Sequence, residues 1–213
     1  MDSLHRLIDL FLHLDVHLNS VITEYGAITY LLLFIIVFCE TGFVVTPILP
    51  GDSLLFAAGT MAALGSLNLP VLGALLLLAA IFGDAVNYSI GRYLGPKVLS
   101  GEHKILKKEY LVKTQAYFAR YGGKTIVIAR FVPIVRTFAP FLAGVGQMKY
   151  ANFAVYNVVG AVVWVVLFVL GGYFFGNIPV VKQNFTLVIF AIIFLSVLPA
   201  VIECIRDRKA TIG

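Results

Sequence analysis

Long apolar stretches separated by short polar segments run along most of the chain. Residues 153–176 and 185–202 contain no charged side chain, and residues 70–91 form a third long apolar stretch. About 20 apolar residues are enough for a helix to cross a hydrocarbon core of about 30 Å. The pattern therefore predicts three full transmembrane helices, at about 70–91, 152–176 and 185–203.

Two further apolar stretches are interrupted by prolines and small residues. Proline breaks or kinks a helix, and irregular backbone inside a membrane is tolerated where it is buried in protein or lines a cavity. Counting membrane crossings from the three full spans requires the second stretch to begin and end on the cytoplasmic side, and the first stretch, if it is also a hairpin, enters from the opposite side. We therefore predict two re-entrant hairpins, at about 28–64 and about 125–148, the alternative being an ordinary helix kinked at its prolines. The prolines expected to support these breaks are Pro47 and Pro50 in the first hairpin and Pro133 and Pro140, at its turn, in the second.

The order of these features is repeated along the chain. Each copy of the repeat begins with a predicted amphipathic helix, at about 4–24 in the first copy and at about 107–121, within the segment that precedes the second hairpin, in the second copy. Each continues with a broken apolar stretch and ends with a long span. Inverted repeats with broken helices near the membrane midplane are typical of secondary transporters. The predicted fold is an all-α polytopic membrane protein, built as an inverted repeat with two opposed re-entrant hairpins, three transmembrane helices and amphipathic interfacial helices.

Composition supports a membrane protein. Hydrophobic residues make up 60% of the 213 residues, charged residues 13%, and the mean hydropathy is +0.95, whereas about one quarter of a soluble domain is charged. Charged and histidine side chains interrupt the first twenty residues, which favours an interfacial helix over a cleaved signal. We expect one domain over 1–213, with halves at 1–91 and 125–203.

The net charge of +5 arises from two basic segments. One covers residues 92–124, and the other is the tail at 204–213. Under the positive-inside rule both face the cytoplasm, so we expect a multi-pass membrane protein with a cytoplasmic C-terminus. Attraction to anionic lipid explains this charge better than nucleic-acid binding does.

Charged residues also occur inside or beside the apolar stretches. Each costs about 2.5–3.5 kcal/mol at the centre of a spanning helix, so such residues are rare and usually functional. The five residues are Glu40, Asp52, Asp84, Arg130 and Arg136. If the two hairpins meet, their acids and arginines can neutralise one another.

The type of charge suggests a chemistry. A guanidinium carries a planar fork of donors that suits phosphate, and it stays charged at every physiological pH. A carboxyl group can take up and release a proton. We therefore predict that Arg130 and Arg136 bind a lipid phosphate, and that Glu40 and Asp52 act in proton coupling and gating. The alternative is a fixed network of these charges that only stabilises the fold.

Other polar residues are assigned supporting roles. Asp84, close to Arg92, is expected to form a structural ion pair or a helix cap, and Asn157 and Trp164 to serve packing and hydrogen bonding. The sequence contains no catalytic motif and no zinc-ligand spacing, so we expect neither an enzyme nor a metal or cofactor. The spacing of Gly91 and Gly95 allows a homo-oligomer.

Four sequence strings carry a resemblance to a known family. They are FCETGFVVTPILPGDSLLFAAG, GDAVNYSIGR, ARFVPIVRTFAPFLAGVGQM and FAVYNVVGAVVW. Together they resemble the DedA family of bacterial inner-membrane proteins over nearly the whole chain. The resemblance implies lipid movement across the bilayer, linked to the proton-motive force and envelope integrity. It also implies that the family's essential acids correspond to Glu40 and Asp52, and its essential arginines to Arg130 and Arg136.

Three functions follow as hypotheses. The first is a flippase for undecaprenyl phosphate or a phospholipid, coupled to protons. The second is a proton-driven antiporter for a small ion or osmolyte. The third is a membrane scaffold for envelope or division proteins that transports nothing.

Overall fold

The computed structural model describes residues 26–43, 51–99 and 122–176, together with isolated positions between 178 and 191. These parts of the chain contain six α-helices and no β-strand, so the all-α prediction is confirmed for them. The helices are α1 (Ile28–Gly42), α2 (Gly51–Ala63), α3 (Leu69–Leu99), α4 (Lys124–Ala129), α5 (Pro133–Val145) and α6 (Tyr150–Phe175).

Several predicted features lie outside the described residues. They are the two amphipathic helices at 4–24 and 107–121, Pro47 and Pro50, the body of the third span at 185–203 and the basic tail at 204–213.

Two helices are long and apolar enough to cross a membrane. Leu69–Gly95 of α3 has 27 residues and contains an 18-residue segment with a mean hydropathy of 2.2, and Tyr150–Phe175 has 26 residues and contains one with a mean hydropathy of 2.5. At 1.5 Å per residue each measures about 40 Å, more than a hydrocarbon core of about 30 Å. Both lie where the sequence predicts spans. Large apolar side chains are exposed on α6, as expected of a surface in contact with lipid; they include Val155, Val159, Val162, Val166 and Leu167.

The apolar stretch at 125–148 consists of two helices rather than one. α4 ends at Ala129, Val132 is extended (φ −117°, ψ 106°), and Pro133 is the first residue of α5. Proline disfavours a helical conformation in the residue before it and suits the first position of a helix, so Pro133 accounts for the break. The expectation of a turn between Pro133 and Pro140 is wrong. Pro140 lies inside α5, which continues past it while Ala139 and Ala143 pack in the core.

Helices α2 and α5 are alike in length and in how they end. Each has 13 residues and is followed by a residue with positive φ, Gly65 (82°) or Gln147 (57°). In both cases the hydrogen bonds form a Schellman motif: Ser66 N–H donates to Met61 O, and Met148 N–H to Ala143 O. A long apolar helix follows each turn. This similarity matches the repeated order of features in the sequence.

The chain folds into two compact units. The described part of the first unit comprises residues 26–36, 51–77 and 165–176, and that of the second comprises 37–43, 78–99 and 122–164. Helices α1, α3 and α6 contribute residues to both. Each unit therefore draws on both halves of the sequence.

In the first unit, α2 packs closely on α6 through small residues. A Cβ added at Gly59 would overlap the carbonyl oxygen of Val169, and one added at Gly172 would overlap that of Phe56. Thr60 Oγ1 donates to the carbonyl of Gly172 at 3.2 Å. Such small residues allow helix backbones to approach each other inside a membrane, which explains the small-residue composition of α2.

In the second unit, glycines likewise allow α3 to pack closely against α5. A Cβ at Gly91 would overlap the carbonyl oxygen of Phe141, and one at Gly144 would overlap that of Tyr88. At Gly95 an added Cβ would lie 3.0 Å from the carbonyl oxygen of Val145. The pair Gly91 and Gly95 is therefore used within the chain. Their spacing gives no support to a homo-oligomer, because a close helix contact inside the unit already occupies them.

Candidate functional site

Arg130 is a buried charge that bonds to several groups at once. It follows the last residue of α4 and forms an ion pair with Asp84 on α3. Its guanidinium also donates to the carbonyl of Ala80 at 3.2 Å and to the carbonyl and side-chain oxygens of Asn157 on α6 at 3.1 and 3.4 Å. The amide of Asn157 in turn donates to Ile81 O at 3.0 Å. Arg130 thus fastens the end of α4 to two long helices.

This arrangement corrects the prediction for Asp84. A structural ion pair or a helix cap was expected close to Arg92; the ion pair is confirmed, but its partner is Arg130. Arg92 instead donates to the hydroxyl of Tyr88 at 3.1 Å. Positions 84 and 92 are eight residues apart on α3, about 12 Å along its axis, which is too far for direct contact.

Arg136 and Glu40 form the second buried ion pair. Glu40 lies in the last turn of α1 and Arg136 in the first turn of α5, and their exposed fractions are only 1% and 7%. A desolvated charge is tolerated where an opposite charge compensates it. The acid and the arginine drawn from the two predicted hairpins therefore meet.

A fully buried indole lies beside both arginines. The guanidinium carbon of Arg130 is 5.8 Å from the centroid of the Trp164 ring, and that of Arg136 is 5.1 Å from it. Although six residues separate the two arginines in sequence, the break before Pro133 brings their guanidiniums to one ring. Trp164 was expected to serve packing and hydrogen bonding, and this expectation is incomplete, because both distances fall within the cation–π range of about 6 Å.

Asn87 joins the two backbone segments that carry the second ion pair. Its side-chain amide donates to the carbonyl of Thr41 at 3.1 Å and to the carbonyl of Thr137 at 2.7 Å. Thr41 follows Glu40 in sequence, and Thr137 follows Arg136. The side chain of Asn87 is fully buried, and its oxygen has no hydrogen-bond partner among the described residues. One amide on α3 thus fixes the positions of both members of the pair.

Asp52 belongs to the first unit, and the other four charges belong to the second. It lies in the first turn of α2 and is 5% exposed. A carboxylate near a helix N-terminus is stabilised by the helix dipole, which accounts for its location. Its predicted gating role stays a prediction.

The sequence-based prediction missed Asn87 and underrated Trp164. Both could have been recognised from their neighbours in sequence: Asn87 is three residues after Asp84, and Trp164 is seven after Asn157. Residues three, four or seven apart share a face of an α-helix. A polar face on α3 and another on α6 were therefore visible before the structure. Their partners were not, because sequence spacing within one helix says nothing about which helix lies opposite.

In the described parts of the chain, no group of three or more histidine, cysteine or acidic side chains could hold a metal ion. The site consists of two arginines, two carboxylates, two amides and one indole. Such a set can bind an anion by exchange with a carboxylate, and it can exchange protons at its carboxyl groups.

Comparison with known proteins gives a consistent result. The VTT domain model matches residues 49–174. Protein DedA of Escherichia coli (strain K12) is 56% identical over 213 residues, which cover 99% of this chain and 97% of that protein. An uncharacterized membrane protein of Mycobacterium tuberculosis (strain H37Rv) is 44% identical over 84% of this chain and 79% of its own length.

A more distant relative is inner membrane protein YqjA of Escherichia coli (strain K12). It is 34% identical over 152 residues, which cover 71% of this chain and 69% of the length of YqjA. No solved structure matches the chain.

Proposed function

The chain belongs to the DedA family of membrane proteins, defined by the VTT domain, and on this basis we propose that it moves a phosphate-bearing lipid across the inner membrane. Undecaprenyl phosphate is the leading substrate, and a phospholipid is the alternative. Two helices long enough to span the bilayer support the membrane setting. In this proposal α4 and α5 form a re-entrant hairpin entered from the cytoplasmic side, and α1 and α2 form its counterpart from the other side.

The observation that carries the proposal is the convergence of two buried, carboxylate-paired arginines on one ring. Four charges in an apolar segment are expensive to insert, and apolar residues of similar volume often replace a buried ion pair without loss of stability. The presence of two such pairs next to each other is therefore better explained by a role in function than by a contribution to stability. Arginine is the side chain best suited to bidentate recognition of phosphate.

The two ion pairs have different roles in the proposed mechanism. Arg130 is bonded to Asp84, Ala80 and Asn157 at once and serves as the fixed anchor of the hairpin. Arg136 is the exchangeable site. When Glu40 takes up a proton, its negative charge is lost and the fork of Arg136 can accept a phosphate in its place. When the lipid leaves, Glu40 releases the proton and the pair forms again.

This exchange couples lipid to protons, and the charge of Arg136 is compensated in both of its end states. In one state the carboxylate neutralises Arg136, and in the other the phosphate does so. The bilayer interior strongly disfavours any state in which the guanidinium has neither partner. Asp52 in the first unit would be the second proton-carrying group and a gate.

A headgroup comparison tests the proposal. In proteoliposomes, the protein should accelerate transbilayer movement of undecaprenyl phosphate and leave undecaprenol, the same chain without phosphate, at the rate of protein-free liposomes. Equal acceleration of both lipids would contradict a phosphate site and indicate a nonspecific disturbance of the bilayer.

The bonding of Arg130 also favours a second candidate, the non-transporting scaffold. If the whole charge network only holds helices together, function should depend on folding and not on the individual charges. The double variant Glu40→Gln, Arg136→Gln distinguishes the two. A scaffold keeps its function when this variant is folded in the membrane, whereas a transporter with Arg136 as its site loses it.

A further inference from the structure

We propose that Trp164 is a positioning residue for both arginines, and that its ring keeps the guanidinium of Arg136 in place while Glu40 is not paired with it. The inference rests on the proposed function, because it concerns the state in which a lipid phosphate replaces Glu40. It gives the indole on α6 a role in holding the two guanidiniums, beyond packing.

The geometry shows contacts of the required kind. Both guanidinium carbons lie within 6 Å of the same ring centroid, at 5.8 and 5.1 Å. Tryptophan presents the strongest π face of the aromatic side chains, and the attraction to a cation grows when water is excluded. Trp164 is fully buried, and the exposed fractions of Arg130 and Arg136 are 4% and 7%. Water is therefore largely excluded from both contacts.

Two side chains on one face of α6 contact the guanidinium of Arg130. Asn157 accepts from its guanidinium, and Trp164 lies seven residues further along the same helix, beside the same guanidinium. Seven residues are close to two turns, so the amide and the indole share a face. Because Trp164 also contacts Arg136, the anchor and the exchangeable site are connected through one rigid side chain. A ring that only filled space would have no reason to contact both cations.

The exchange mechanism needs such a residue. Between the departure of the carboxylate and the arrival of the phosphate, Arg136 carries an uncompensated charge. A π face attracts that charge without forming a competing ion pair. The guanidinium therefore stays where a phosphate can reach it, instead of moving to another acceptor.

Fluorescence gives a direct test, because Trp164 is the single tryptophan of the chain. Indole emission depends on the charges next to the ring. Arg136→Gln and Glu40→Gln should each shift the emission maximum, whereas Arg92→Gln, which removes a guanidinium bonded to Tyr88, should leave it unchanged. An emission maximum that is the same in all variants and in the wild type would overturn the inference.

Transport by Trp164 variants tests the role itself. Trp164→Leu should raise the half-saturating concentration of undecaprenyl phosphate about 30-fold, the loss expected for a desolvated cation–π contact, and Trp164→Phe should restore part of it. The matched control is Phe153→Leu, which removes a fully buried ring stacked on Tyr88 at 4.4 Å. It should change only the amount of folded protein. Equal effects of Trp164→Leu and Phe153→Leu on half-saturation would overturn the inference.

A third measurement does not depend on transport. If the wild type moves no undecaprenyl phosphate, the proposed function fails for that substrate, and a double-mutant cycle on unfolding decides the inference alone. Trp164→Leu and Arg136→Gln should then be less than additive, because both remove the same contact. Additive effects would show that the ring does not hold the guanidinium.

Discussion

The carboxylate of Glu40 and the guanidinium of Arg136 meet in a buried ion pair although 96 residues separate them in sequence. The pair joins the end of α1 to the start of α5. The guanidinium of Arg136 also lies over the ring of Trp164. The side-chain amide of Asn87 donates to the backbone carbonyls of Thr41 and Thr137, the residues that follow Glu40 and Arg136. These contacts define what each substitution at the site should do.

The ion pair should show strong coupling in stability. Removing one partner of a buried pair costs about 3–5 kcal/mol, because the other charge is left buried alone. Glu40→Gln and Arg136→Gln should each lower the free energy of unfolding by that amount, and the double variant should be more stable than the sum of the two losses implies. Denaturation in detergent, followed by circular dichroism, measures the cycle.

The control for this cycle combines Glu40→Gln with Arg92→Gln. Arg92 bonds to Tyr88 and is not part of the pair, so these two effects should add within about 0.5 kcal/mol. If the Glu40–Arg136 cycle is equally additive, the two side chains do not interact in the folded protein.

Lysine substitutions should separate the anchor from the exchangeable site. Arg130→Lys replaces a planar fork of donors with a compact ammonium. It should lose one of the bonds to Asp84, Ala80 and Asn157, and the free energy of unfolding should fall by about 2 kcal/mol, the value of a hydrogen bond to a charged group. Arg136→Lys keeps a cation for Glu40 but loses the bidentate fork. It should lower the transport rate about tenfold or more, while the protein stays folded because a cation still compensates Glu40.

Unfolding and transport measurements on both variants check this difference. Wild-type transport by a folded Arg136→Lys protein would rule out bidentate phosphate recognition at that residue.

The amide of Asn87 should be a major contributor to stability. Asn87→Leu leaves the carbonyls of Thr41 and Thr137 buried without this donor, at about 1–3 kcal/mol for each group. We expect a total loss of about 2–6 kcal/mol in the free energy of unfolding. Ser89→Ala on the same helix removes only an exposed bond to Ala85 O and should change stability by less than about 0.5 kcal/mol. Similar effects of the two substitutions would show that Asn87 does not hold the two segments together.

Two glycines of α3 should respond to alanine in opposite directions. A Cβ at Gly91 would overlap the carbonyl oxygen of Phe141, whereas one at Gly73 has nothing within 4 Å. Gly91→Ala should therefore destabilise the protein by about 1–3 kcal/mol, the usual cost of overpacking. Gly73→Ala should stabilise it by up to about 1 kcal/mol, because alanine is the better helix former. The midpoints of thermal unfolding compare the two, and a shift of the same sign would contradict the close packing of α3 on α5.

The sequence predicted the long helices more accurately than their partners. A continuous apolar stretch fixes the type and approximate position of a spanning helix, so α3 and α6 lie close to the ranges expected. The break at Pro133 was also visible, since proline restricts the residue before it. Pro140 misled the prediction, because a proline inside a short helix removes one hydrogen bond without ending the helix when the neighbouring residues are packed.

The pairing of charges could be predicted only in part. An acid of the first hairpin and an arginine of the second were expected to meet, and Glu40 and Arg136 do so. Arg130 instead forms its ion pair with Asp84, because the C-terminal end of α4 lies next to the part of α3 that carries this carboxylate. Which residues of two helices face each other depends on how the helices pack, and this cannot be read from residue spacing along the sequence. The double contact of Trp164 was hidden for the same reason.

The central claim is that Arg136 binds the phosphate of a transported lipid and exchanges it with Glu40. The most direct test is transbilayer movement of undecaprenyl phosphate in proteoliposomes, comparing the wild type with Arg136→Ala, each with and without a pH gradient. The account predicts movement by the wild type that responds to the gradient, and none above protein-free liposomes for a folded Arg136→Ala. Equal movement by the two proteins, or no movement by a folded wild type under either condition, would contradict it.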